Sequence, residues 1–441
     1  MKRKSLALGM SAVMLIGILT GCGGGQADSN EGGESDSEQK TIKVLGLKED
    51  SHMTPLQRGA EQFEKETGVK VEFETYPFDQ FFEVIEVKLG SNSKGIDIIE
   101  VDVPMIAAYT YRDYIAPLDE YFTEEEKAKY VDSALESSTV DGKLMAPPID
   151  NSSQLLYYNK DLLDMAGIPY PSEDPKDRLT WEEIEEMSVK VMDAAKENGQ
   201  DGIWGLTFEQ ISRPYQMLAL PQSLGGKAIG DDGFTVEGIM NSEPWIKAGQ
   251  FYYDIHNTLN ISPKGTQQSE NNQMFSSGKT AFHVGGKWYI NQIGNDSLNW
   301  GYAPHPYFEE GEPVTATGCW HIGVTKNSEN KDIAAEFVKS MSLGYGNDQW
   351  MEYQGSVPAR IDLVEKIAED PKYEEFPYSA QKLAAYEVQN TAIPRPVTVG
   401  YREYDSTFNT CFEDIRNGMK PEDALNNAVS QLTASLAKYR E

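Results

Sequence analysis

The residue types that usually carry catalysis are present in this chain, but not at the spacings catalysis needs. Gly278-Lys279-Thr280 has the end of a phosphate-cradling loop, yet Gln273 stands where the first glycine of that loop belongs. There is no Gly-x-Ser-x-Gly turn, no His-Glu-x-x-His helix and no Cys-x-x-Cys pair. The five histidines, at 52, 256, 283, 305 and 321, lack metal-ligand spacing, so neither a metal nor a cofactor is expected. With 70 Asp and Glu, a pair of carboxylates suited to glycan cleavage could be picked almost anywhere, so abundance assigns none. Rings are also plentiful: 7 Trp and 23 Tyr exceed what a core alone would use.

The balance of charge excludes one class of partner. Lys and Arg number 39, and the first 21 residues hold three of them. The remaining 36 face 70 carboxylates, a net charge near −34, which argues against nucleic acid. The amino terminus explains the subtraction. Lys2, Arg3 and Lys4 precede an uncharged apolar run from Leu6 to Leu19, too short to span a bilayer stably and typical of a secretory signal. The run ends in Leu19-Thr20-Gly21-Cys22, which resembles a bacterial lipobox, so residues 1–21 are expected to be removed and Cys22 lipidated. Several acyl chains hold a protein to a membrane where one would not. Residues 22–40 then form a Gly-, Ser- and Glu-rich tether that cannot bury enough surface to order itself. Such a tether reaches roughly 20–25 Å. Two cysteines remain, Cys319 and Cys411, too few for a disulfide framework, and both are expected as free thiols.

Beyond the tether, strands alternate with helices. Thr41–Leu47 is a strand, and Thr54-Pro55-Leu56-Gln57 predicts a helix start with Leu56, Ala60 and Phe63 inward and Gly68 as the stop. Strands follow at 69–76 and 96–101, with a helix at 78–90 between them. Thr180-Trp181-Glu182-Glu183 is a capping box, and a last helix from Pro421 aligns Ala424, Leu425, Ala428, Val429, Leu432 and Leu436 on one face. Strands separated by helices of this length indicate parallel pairing, so the class is α/β.

Several segments are more specific. Asp141 to Ile149, Leu156-Tyr-Tyr-Asn-Lys-Asp161, Thr180 to Glu183, Phe275 to Trp288 and Ala334 to Val338 resemble, in order, the family 1 extracellular solute-binding proteins. The resemblance runs from about Thr41 to the end. It implies a two-lobe, class II periplasmic-binding-protein-like fold with three hinge crossings, expected near 148–152, 300–305 and 342–348. Lobe one would hold 41–148 and 304–342; lobe two would hold 152–300 and 348–441. It also implies a lipid-anchored monomer outside the cytoplasm that takes a carbohydrate between its lobes for the permease of an ABC transporter. A non-sugar solute (a polyol, phosphodiester or peptide) and a surface glycan-cleaving enzyme are the alternatives.

A sugar offers hydroxyls to carboxylates and C–H faces to rings. Trp288, after Gly285-Gly286, stands where the family places a stacking tryptophan. Asp150 and Asn151 lie on the first crossing, near a carboxylate of the family. Arg213-Pro214-Tyr215 aligns with an acidic-Pro-Tyr stretch there; Tyr215 is a stacking candidate, but Arg213 reverses a charge, so a maltose specificity is not carried over. Glu49 and Asp50 follow the first strand and Asp102 the third, at carboxyl ends that open onto a cleft. Trp320, Tyr401 and Arg402 lie in late segments that contribute contacts in the family.

Overall fold

The computed structural model describes residues 39–293 and 298–440; the signal segment, Cys22 and nearly all of the tether lie outside the described residues. In chain order the strands that matter are β1 (Thr41–Leu47), β2 (Lys70–Tyr76), β3 (Ile98–Asp102), β4 (Asp150–Asn151), β5 (Gln154–Asn159) and β6 (Trp204–Phe208). They continue as β7 (Thr280–Gly286), β8 (Trp300–Pro304), β9 (Thr315–Thr317), β10 (Trp320–Val324), β11 (Val357–Pro358) and β12 (Ala392–Pro394). Four of them form the sheet of one lobe in the order β10-β3-β1-β2, and four form the second in the order β8-β5-β7-β6. β1 runs parallel to β2 and β3, and β6 runs parallel to β7, while β10, β5 and β8 pair antiparallel. The fold is α/β with mixed sheets.

Local chemistry sets the helices that flank these sheets. α1 (Asp50–Thr67) begins four residues before Thr54, because the amides of His52 and Met53 already bond the carbonyl of Glu49. Pro55 therefore sits in the second turn, where its missing N–H removes one helical bond. The predicted inward stripe of Leu56, Ala60 and Phe63 is buried, and Gly68 closes the helix at φ 74° with its amide on Glu64. α2 spans Phe78–Gly90. α3 (Trp181–Glu197) opens on the capping box: Thr180 Oγ1 accepts from Glu183 N at 3.2 Å, and Thr180 N donates to Glu183 Oε2 at 2.8 Å. All six apolar positions predicted for the last helix, Pro421–Leu436, are buried. Cys319 and Cys411 are buried and unpaired.

The passages between lobes need two corrections. Trp300–Pro304 is a full strand of the second sheet, so the chain leaves that lobe only after Pro304, through β9. The helix α5 (Tyr345–Tyr353), which follows α4 (Lys331–Leu343), stays with the first lobe. Trp350 meets His52 edge-on at 4.9 Å, and Arg58 lies over the Tyr353 ring at 4.4 Å. The last passage is therefore at 354–358, where β11 pairs with β4. Asn151 is buried in that hinge pairing and does not reach the cavity between the lobes.

Asp150 braces the same place. Its Oδ1 accepts from the amide of Trp320 at 2.7 Å and its Oδ2 from Trp350 Nε1 at 2.9 Å. Both acceptors are buried, so an amide in their place would turn a donor toward a donor. We expect Asp150→Asn to lower the unfolding free energy by about 1–3 kcal/mol at pH 8, measured by denaturant titration. An unchanged midpoint would remove the bracing role.

Candidate functional site

A cavity of about 1250 Å³ opens between the two sheets. It lies where the strands end at their carboxyl sides, the position that open α/β sheets leave free for ligands. Leu47 and Glu49 border it at the end of β1, Asp102 at the end of β3, and Glu209 just past β6. Each wall carries rings. Phe78, Phe82 and Trp320 belong to the first lobe, Tyr215 and Trp288 to the second.

Trp288 follows β7 in a single 3-10 turn, Lys287–Tyr289, and its indole folds back over Gly286. A Cβ on Gly286 would lie 2.2 Å from the ring, so only glycine admits this placement. Tyr215 lies 5.7 Å from Trp288 at 45°, and its hydroxyl meets Ser152 Oγ at 2.8 Å. Ser152 Oγ in turn donates to the carbonyl of Gly318 at 2.6 Å, which couples the second-lobe wall to the hinge. Glu209 and Tyr215 are joined by a turn in which Ile211 has φ 53°. For a β-branched residue that region is strained by about 1–3 kcal/mol, and here the hydroxyl of Tyr252 fixes the Ile211 carbonyl at 3.1 Å. Strain of this kind is maintained where geometry matters.

Arginines of the second lobe reach across. Arg213 lies over the Phe78 ring at 4.3 Å and Arg402 over Phe82 at 5.8 Å. Arg395, just past β12, grips both carboxylate oxygens of Asp102, with Nη1 to Oδ2 at 2.7 Å. On the first-lobe side, the buried His52 Nδ1 meets Glu100 Oε1 at 2.8 Å, and Glu100 Oε2 accepts from Leu47 N at 2.6 Å.

Of the residues singled out in the sequence, Trp288, Tyr215, Arg213, Trp320, Asp150, Asp102, Glu49, Asp50, Tyr401 and Arg402 all border this cavity; Asn151 does not. Their states differ. Asp150 and Asp102 have committed their oxygens to the protein, Tyr401 is buried, and Glu49 and Asp50 remain open to the cavity mouth. Sequence reasoning missed His52, Glu209 and Arg395. Glu209 had a signal, because it follows a strand as Glu49 and Asp102 do; nothing local marks Arg395.

Burial dominates the site's titration. It pushes the Glu209 carboxyl up to about 7, against the opposing pull of bonds from Gly286 N and Trp288 Nε1, and it pushes Asp150 up to about 6. Burial opposes protonation of His52, but Glu100, Glu49 and Asp150 together hold its pKa above the usual imidazole value. A carboxyl whose native pKa is raised holds its proton more tightly in the native state, so its contribution to stability falls as pH rises. For Glu209 that window runs from about 4.5 to about 7. We expect the unfolding free energy of Glu209→Gln to fall less between pH 5 and 7.5 than that of the wild type. Parallel pH dependences in denaturant titrations would contradict this.

Residues 48–342 match the family described as bacterial extracellular solute-binding proteins. The chain belongs to that family. A galactooligosaccharide-binding protein of Bacillus subtilis is 25% identical to this solute-binding protein over 441 residues, covering 97% of this chain and 96% of that one. Two solved structures share the fold at a TM-score of 0.78. The GacH receptor of Streptomyces glaucescens, solved unliganded and with acarbose, is 24% identical across 91% of this chain and 99% of its own. An ABC substrate-binding protein of Listeria monocytogenes, solved with cycloalternan, is 21% identical across 90% and 99%. Among the described residues of the solute-binding protein, no helix is long and apolar enough to cross a membrane, and no group of three or more His, Cys, Asp or Glu could hold a metal.

Proposed function

We propose that this solute-binding protein is the lipid-anchored substrate-binding subunit of a carbohydrate ABC importer, capturing an uncharged sugar between its lobes for delivery to a permease. The observation that carries the reading is the cavity's pairing of rings from both lobes, Trp288 and Tyr215 with Phe78, Phe82 and Trp320, around a polar interior. Rings take the C–H faces of a sugar, while carboxylate, amide and guanidinium groups take its hydroxyls. The volume of about 1250 Å³ exceeds the ~300–1,000 Å³ of sites for drug-sized ligands, which favours an oligosaccharide over a single ring. The names of the relatives point the same way, as does the excess of carboxylates, which opposes anionic solutes. The protein binds without turnover in this reading, so incubated oligosaccharides keep their length.

A thermal-shift panel of malto- and galactooligosaccharides tests the substrate class. A ligand at a hundred times its dissociation constant adds about 2.7 kcal/mol to native stability. Calorimetric titration with the best binder should then show Trp288→Ala losing about 2–4 kcal/mol of affinity through lost stacking and apolar burial. Wild-type affinity in that folded variant would take Trp288 out of the site, and tight, salt-sensitive binding of a uronate or sugar phosphate would overturn the neutral-solute reading.

Anchoring rests on Cys22 as the end of the lipobox. Cys22→Ser should abolish metabolic fatty-acid labelling and release the protein from membranes; a variant that is still labelled would sink the anchor.

A further inference from the structure

Glu209 is a fully buried carboxylate on the wall of the solute cavity, and among the described residues neither of its oxygens is paired with a cation. Oε2 accepts from the amide of Gly286 at 2.9 Å, and Oε1 accepts from Trp288 Nε1 at 3.0 Å. Its own amide bonds the carbonyl of Val284 at 2.8 Å, so the parallel pairing of β6 with β7 fixes where the carboxylate stands. Burying a carboxylate without a positive partner is costly, and an apolar side chain would fill the space at less expense. The arrangement explains why a carboxyl group stands here. Gly286 supports the indole from below, Tyr215 stands 5.7 Å to its side, and Glu209 holds the only polar atom of the ring. These contacts leave the ring little freedom to turn.

We propose that Glu209 is a positioning residue of the solute site: it clamps the edge of Trp288 so that the face offered to solute is set before solute arrives. The proposal rests on the reading that Trp288 stacks on the sugar. Presetting the ring avoids the ordering of a mobile aromatic side chain at the moment of binding, and that saving appears as affinity. A protein amide cannot replace the carboxylate without loss. The glutamine side chain has one acceptor oxygen for two inward-pointing N–H groups, and its own NH2 would face the other donor. Gly286 acts from the opposite side, since a Cβ there would expel the ring while leaving Glu209 intact.

Two measurements on the full mature chain separate this role from direct contact. The first needs no ligand: 15N relaxation of the indole N–H groups. In Glu209→Gln the Trp288 order parameter should fall and its resonance shift, while those of the core residues Trp181 and Trp245 stay as in the wild type. An unchanged Trp288 signal overturns the proposal. The second is a double-mutant cycle by calorimetry with maltotriose and with a galactotriose, using whichever binds the wild type. Glu209→Gln should weaken binding about tenfold, and in a Trp288→Ala background it should have no further effect. Additive losses would mean that Glu209 touches the sugar itself and would overturn the positioning role. Should Glu209→Gln fail to fold, Gly286→Ala enters both measurements with the same expectations. Wild-type affinity in Trp288→Ala would instead defeat the reading of the site, with the relaxation result still deciding whether Glu209 holds the ring.

Discussion

A chain that passes three times between two lobes must keep those passages together, or the lobes lose their relation to one another. Asp150 supplies that constraint. Its backbone lies in β4 beside β11, the first and last passages, and its carboxylate takes the amide of Trp320 where the middle passage re-enters the first sheet. The bond from Trp350 adds the helix that precedes the last passage. Backbone and carboxylate of one residue thus tie β4 to β11, to Trp320 and to Trp350. Burial raises its pKa, so the ion is held against its own preference by donors that the fold places around it. The walls of the cavity inherit their spacing from this point, because Trp320 belongs to one wall and Ser152, two residues on, holds the ring of Tyr215 in the other.

Two of the contacts across the cavity are of another kind. Arg213 over Phe78 and Arg402 over Phe82 are cation–π contacts, worth about 0.5–2 kcal/mol each. Each links a side chain of one lobe to a ring of the other. Beside them between the walls stands one strong contact, the buried pair of Arg395 with both oxygens of Asp102.

The sequence disclosed the parts that depend on local pattern. The capping box at Thr180, the stripe of the last helix and the glycine stop at Gly68 are short-range features, and each has its physical cause within a few residues. Carboxyl ends of strands gave Glu49 and Asp102 for the same reason. Thr54-Pro55 misled because a proline that suits the first turn of a helix is also tolerated in the second, once Glu49 has started the helix earlier. A local reading of 300–305 suggests a passage between lobes because the place of Trp300–Pro304 in a sheet is set by β5, more than 140 residues away. Arg395 was invisible because its partner, Asp102, is 293 residues distant. Asn151 shows that neighbours on a two-residue strand face opposite ways: Asp150 borders the cavity, while Asn151 does not.

The unpaired cysteines bear on the chemistry of a protein that works outside the cytoplasm, where thiols meet oxidants. Reactivity belongs to the thiolate, and burial pushes both Cys319 and Cys411 up to about 12. At neutral pH almost none of either thiol is ionised. Cys319 borders the cavity, so solvent reaches its neighbourhood, yet the sulfur there is a poor nucleophile and a poor target for oxidation. Cys319 and Cys411 are therefore carried outside the cytoplasm with little exposure to mispairing between copies, a protection that comes from solvation rather than from a bond.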